Sequence, residues 1–131
     1  NYYFVNCYTP NSKRELERLE YRMQWEDEIR EYLNNLNIDG IKIHMLHILK
    51  DTPLAKLYEV KPFPVLSKNE YIDIVCEQLA FLRPEVVIHR ITGDPTKEEL
   101  IEPTWLLKKF CVLNDIDKEM KKRDYYQGCK L

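Results

Sequence analysis

A mixed α/β fold, with short parallel strands joined by crossover helices, is predicted by three observations on this 131-residue chain. Short runs of β-branched and aromatic residues occur at 2–8, 41–47 and 86–92. Longer segments between and after them place apolar residues three or four positions apart, the period of an amphipathic helix. Turn-forming clusters separate the two kinds of segment: Thr9-Pro10-Asn11-Ser12, Asn37-Ile38-Asp39-Gly40 and Gly93-Asp94-Pro95.

Residues 2–8 (YYFVNCY) predict a strand and then a loop. From about Arg18 the stripe Tyr21, Trp25, Ile29, Tyr32 or Leu33, and Leu36 predicts a helix. Residues 41–47 alternate, so Ile41, Ile43 and Met45 face the helices, while Lys42 and His44 turn the other way. Strand, helix and strand in this order make a right-handed crossover with parallel strands. Asp51-Thr52-Pro53 opens a short helix with Pro at a tolerated first position, and Lys61-Pro62-Phe63-Pro64 stops it. Ser67 to Glu70 is a capping box, opening a well-buried helix to Leu82. Residues 86–92 (VVIHRIT) form a third strand. A second box, Thr96 to Glu99, predicts a brief helical turn. Pro103 leads into the longest late helix, striped by Leu106, Phe110, Leu113, Ile116 and Met120, with Trp105 expected in the core at its head. Residues 125–131 read as a tail. With no repeat and no low-complexity linker, the chain is expected to be a single compact unit over 1–131.

Composition excludes several function classes. An apolar fraction of 44% with 32% charged residues describes a globular chain able to fill a core. The net charge of −2 offers no broad cationic surface for a polyanion. The basic run Lys121-Lys122-Arg123 falls at the end of a helix, where cations complement the dipole. No apolar stretch approaches the roughly 18 to 20 residues of a membrane span. The chain opens on Asn1-Tyr2-Tyr3 without an initiator Met or a signal peptide, so it reads as an excised piece. Cys7, Cys76, Cys111 and Cys129 have neither zinc nor cluster spacing, and such dispersed cysteines point to reduced cytoplasmic thiols. Three of them lie within predicted elements and are expected in the core. Glycine occurs at 40, 93 and 128 alone, so no phosphate-cradling loop can be written.

Longer wording is more specific. Phe4-Val5-Asn6-Cys7-Tyr8-Thr9-Pro10-Asn11-Ser12, with Arg18-Leu19-Glu20-Tyr21-Arg22 and Trp25, resembles the middle of bacterial exodeoxyribonuclease III and the related abasic-site endonucleases. That resemblance implies a nucleic-acid-binding set of Tyr8, Asn11, Arg14 and Arg18 and a Mg-dependent hydrolysis. Phenol, amide and guanidinium groups can all donate to phosphate oxygens. Such hydrolysis also needs carboxylates for a divalent cation, and the family's carboxylates have no counterpart in residues 41–47.

The second wording runs from Asn37-Ile38-Asp39-Gly40-Ile41-Lys42-Ile43-His44 and Leu46-His47-Ile48-Leu49-Lys50 through Pro84-Glu85-Val86-Val87-Ile88-His89-Arg90-Ile91-Thr92-Gly93-Asp94 to Trp105, Lys108-Lys109 and Gln127-Gly128. It resembles the C-terminal part of the YhcC-type radical SAM proteins, an Fe-S oxidoreductase-like group. The seam between the two resemblances falls near 33–37, so a chimera is one reading. The second resemblance implies an incomplete barrel-like fragment. It also implies substrate-binding roles for Lys42, His44, His47, His89 and Arg90. Each histidine equally admits a structural reading. His44 and His47 are expected on opposite strand faces, which argues against one shared metal site. The parent family uses a 4Fe-4S cluster and S-adenosylmethionine; the cysteine loop that binds the cluster has no counterpart here. No cofactor is therefore expected in this chain, no catalytic residue is assigned, and the parent protein's N-terminal part becomes a candidate partner. The remaining expectation is a noncatalytic structural fragment.

Overall fold

The computed structural model describes residues 19–131, and the chain divides into two units, 1–39 and 40–131. In the first unit, α1 spans Leu19–Asn35. Its face carries a Gln24–Glu28 hydrogen bond of 2.8 Å and an Arg30–Asp27 ion pair of 3.3 Å, the spacings at which helical side chains meet. Leu33 is half-buried while Tyr32 is 51% exposed, so Leu33 continues the apolar stripe. The expected strand at 2–8 lies outside the described residues, and with it the crossover through α1.

The second unit contains β1 (Gly40–Lys42), β2 (Ile48–Leu49), α2 (Pro53–Val60), α3 (Lys68–Ala80), β3 (Val87–Arg90), β4 (Leu100–Glu102), a 3-10 helix at Thr104–Lys108 and α4 (Lys109–Lys122). β1 pairs with β3 in parallel, and β2 with β4 antiparallel. The described residues thus form two small sheets, short parallel strands and a long C-terminal helix, without a closed barrel.

Both expected helix starts are present. Thr52 caps α2, its hydroxyl accepting from Ala55 N (3.1 Å) and donating to the Leu49 carbonyl (2.7 Å). Ser67 and Glu70 form a reciprocal capping box on α3. α3 is the core helix, with Tyr71, Ile72, Val75, Cys76, Leu79 and Ala80 all buried. It packs on α4 through Val112 and Ile116, and on Met45, Leu100 and Leu106. Val75 and Val112 have no exposed surface, and burial of a valine of that kind stabilises a fold by about 1.5–3 kcal/mol.

Several expectations are corrected. The strand of 41–47 ends at Lys42, the Ile43 amide making one further bond to β3 at the Arg90 carbonyl before the chain pairs with β4 at Ile48–Leu49. The brief turn expected at Thr96 is present, with Thr96 bonding Glu99 at 2.8 Å and the Glu99 and Leu100 amides donating to the Thr96 carbonyl (3.3 and 3.1 Å), and it feeds strand β4. The late helix begins as 3-10, whose tighter winding shifts the phase of the α-helical turns after it. Phe110 is consequently 71% exposed and Val112 takes its inward place. Of the three cysteines expected in the core, Cys76 is buried, Cys111 is exposed and Cys7 lies outside the described residues.

Residues 125–131 are not a loose tail. The amides of Gly128 and Lys130 donate to the carbonyls of Leu79 (3.0 Å) and Ala80 (2.8 Å). Nε2 of Gln127 donates to the carbonyls of Arg83 (2.7 Å) and Val86 (2.8 Å). Glu77 receives Nζ of Lys130 at 2.6 Å and the Tyr125 hydroxyl at 3.2 Å. Burial would raise the Glu77 carboxyl, but the hydrogen bonds from Lys130 and Tyr125 outweigh it and hold the group below its usual range. The basic run at the end of α4 is consumed structurally: Lys121 pairs with Asp117, Lys122 with Glu119, and Arg123 with Asp73, Glu77 and Glu119.

Candidate functional site

Parallel strands present their C-terminal ends, and the loops leaving them, to ligands. Here that edge comprises Lys42 and Arg90 with the segments 43–47 and 91–94. The pairing begins Gly40↔Val87 and Ile41↔Ile88, then shifts so that Lys42 stands opposite Arg90. The Ile43 amide continues the ladder to the Arg90 carbonyl at 2.8 Å. Lys42 and Arg90 are both exposed, so two cations lie side by side at the strand ends.

Residues 43–47 lie outside any strand, and the expectation that His44 and His47 diverge is overturned. Their ring centroids are 4.8 Å apart with the planes tilted by 40°. Nδ1 of each faces the Met45 carbonyl oxygen, at 2.9 Å for His44 and 3.4 Å for His47. A carbonyl only accepts, so Nδ1 is the donor in both contacts, and Nε2 of each ring is left for other partners. Met45 is 4% exposed and sits in the core, which anchors the shared carbonyl. His47 has its pKa lowered, chiefly by burial and further by the charge of His44, against the opposing pull of the Met45 carbonyl.

Two glycines allow this arrangement. A Cβ on Gly93 would approach His44 Cε1 to 3.0 Å and Nε2 to 3.1 Å, so the bare backbone gives the imidazole its place. A Cβ on Gly40 would run into the His89 ring. The His89 ring therefore lies beside Gly40, at the start of β1. Of the five expected substrate-binding residues, Lys42 stands opposite Arg90 in the ladder, the His44 and His47 rings meet, and the His89 ring lies beside Gly40. Tyr8, Asn11, Arg14 and Arg18 lie outside the described residues.

Sequence reasoning missed the groups that hold this edge. The buried Tyr71 hydroxyl donates to the Ile91 carbonyl, and its burial pushes the phenol pKa well above the ordinary value. Lys109 pairs with Asp94 at 2.7 Å, tying the loop after Gly93 to α4 and holding the Asp94 carboxyl below its usual range. A buried Tyr on a helix is legible as core; its bond to a carbonyl twenty residues on is not.

The site does not fit a metal cluster. Among the described residues no group of three or more His, Cys, Asp or Glu could hold a metal ion. Iron-sulfur clusters need converging thiolates, whereas Cys76 is buried in α3, its thiol pKa raised chiefly by that burial, and Cys111 is exposed on α4. The two imidazoles alone fall short of the three protein ligands of an open metal site.

The parallel strand pair, the α3–α4 core and this edge together define a domain class that the family comparison names. Residues 38–122 match the Radical_SAM C-terminal domain, and the chain belongs to that family. It is 47% identical over 94 residues to the uncharacterized protein YtqA of Bacillus subtilis, covering 72% of this chain and 29% of YtqA. Protein YhcC of Escherichia coli K12 is 30% identical over 81 residues, covering 62% of this chain and 26% of YhcC. The chain thus spans less than a third of the length of these curated relatives. A separate similarity, 49% over 37 residues, links 28% of the chain to 15% of an exodeoxyribonuclease of Bacillus subtilis. Both expected resemblances are therefore present. No helix among the described residues is long and apolar enough to cross a membrane.

Proposed function

We propose that this chain is the C-terminal portion of a cytoplasmic radical SAM, Fe-S oxidoreductase-like protein, and that it is not catalytic alone. Its role is to present the ends of β1 and β3, with Lys42, His44, His47 and Arg90, to a substrate activated elsewhere in the parent protein. The 4Fe-4S cluster and S-adenosylmethionine belong to the parent's N-terminal part, which is the natural partner. The observation that supports this reading is the coincidence of the family match over 38–122 with two pairs that follow or end the parallel strands, the Lys42–Arg90 register pair and the His44–His47 ring contact. The reading needs His44 and His47 as proton acceptors or donors through Nε2, since Nδ1 is committed to the Met45 carbonyl.

Reconstitution with iron and sulfide tests this. The chain alone should give no stoichiometric four-iron chromophore, whereas mixing with the N-terminal part of a YtqA-like parent should give a complex that carries one. A full cluster bound by this chain alone would overturn the assignment.

The exodeoxyribonuclease similarity favours a second reading, a fragment of a DNA-repair nuclease that binds DNA through the segment containing Tyr8. Magnesium-dependent nicking of abasic DNA, lost in Tyr8→Phe, would support it. Silence in both assays with a cooperative melt would leave a structural fragment.

A further inference from the structure

A groove of about 470 Å³ is lined by Lys68, Thr104, Trp105, Lys108 and Cys111, and neither family resemblance assigns it a role. Its volume falls within the range of about 300–1,000 Å³ typical of small-molecule sites. It forms where the start of α3 meets the 3-10 helix and the first turn of α4. Trp105 is fixed in it by two contacts. Its Nε1 donates to the Leu66 carbonyl at 2.9 Å, and its ring lies against Tyr71 with centroids 5.5 Å apart. The indole is thus held rigidly from behind and is only half-buried, leaving part of its surface to the groove.

The charges around it do not cancel. Lys68 is held by Asp115 at 2.7 Å, so that ammonium is positioned and neutralised by one carboxylate, which Lys118 also approaches at 3.7 Å. The Glu102 carboxylate is turned to the Thr104 amide at 3.1 Å. Lys108 is exposed and has no ion-pair partner among the described residues, so the groove keeps a cation in excess beside an aromatic floor. Aromatic faces stack planar rings with little regard to ring identity, and ammonium groups bond carboxylate or phosphate oxygens.

The geometry points to this groove as a binding site for a small planar aromatic anion, its ring on Trp105 and its acidic group on Lys108. The shared chemistry admits an aromatic phosphate ester or an aromatic carboxylate.

Fluorescence reads the site directly, because the chain has two tryptophans and Trp25→Phe leaves Trp105 as the sole indole. Adenosine 5′-monophosphate and nicotinate are titrated as the two anionic arms, with adenosine and inorganic phosphate as the ring-only and anion-only controls. At least one anionic arm should quench Trp105 saturably, and Lys108→Met should weaken that binding about fivefold or more. The same ligand should slow alkylation of Cys111 in the wild-type chain, followed by peptide mass. This second readout serves if Trp25→Phe does not fold. Saturation by neither arm, an adenosine curve equal to that of the nucleotide, equal protection by phosphate alone, or indifference to Lys108→Met would each overturn the proposal.

Discussion

Gln127 is the point at which a single atom substitution should be most revealing. Its Nε2 bridges the carbonyls of Arg83 and Val86 at 2.7 and 2.8 Å, fixing the segment that enters β3. Gln127→Glu keeps the shape and replaces the donor by an acceptor. Two hydrogen bonds at a net value of about 1 kcal/mol each are lost, and an ionised oxygen facing two carbonyl oxygens adds about 1–3 kcal/mol more. The total, about 3–5 kcal/mol, is a large share of the roughly 5–15 kcal/mol that holds a domain together. Facing carbonyls disfavour the charged form, so the introduced carboxyl has its folded pKa raised above an unfolded value of about 4.3. The protonated form can donate one of the two bonds, so the deficit is smallest below that unfolded value and grows as pH rises through the folded one. Urea midpoints of wild type, Gln127→Glu and Gln127→Met at about pH 5 and about pH 8 measure it. Gln127→Met should lose about 2 kcal/mol at both. A Gln127→Glu chain as stable as wild type at the higher pH, or a deficit that does not grow with pH, would refute the reasoning.

Three further outcomes are expected. Tyr71→Phe should lower stability by about 1–2 kcal/mol in urea, because it orphans the Ile91 carbonyl while leaving the ring packing intact. Gly128→Ala should lose about 2 kcal/mol or more by the same measure, since φ is 83° there and the new methyl would meet Pro84 Cδ at 2.9 Å. His47 has a lowered folded pKa, so its contribution to stability is complete above about pH 6.5 and is lost as pH falls toward the folded value. His47→Gln should flatten the wild-type slope of stability between about pH 5 and 7.

Elements governed by local chemistry were legible in the amino-acid sequence. Thr52 and Ser67 announce their helices because a cap needs only a hydroxyl and a neighbouring amide. The helix opened by Ser67 was expected to be well buried, and Val75, Cys76 and Leu79 are buried in it. The candidate site was half legible. Alternation turns Lys42 away from the face of Ile41, and in the structure Lys42 is exposed while Ile41 is half-buried. The same alternation misplaces His44 and His47, because it assumes a strand that stops two residues before the first of them. Phe110 fails for a related reason: a 3-10 turn upstream changes the phase that a 3.6-residue period carries forward. The partners of Tyr71 and Gln127 lie 20 to 44 residues away, and no local pattern encodes such pairings.

The fastening of residues 83 and 86 by Gln127 has a bearing on biosynthesis. A chain emerging vectorially from the ribosome has made β1 and β3 long before Gln127 appears, yet the entry to β3 lacks its clasp until then. Nascent or prematurely stopped products ending ahead of that glutamine would expose an unsecured strand pair to proteases and chaperones. Quality control would in effect be reading whether translation had reached the end of this segment.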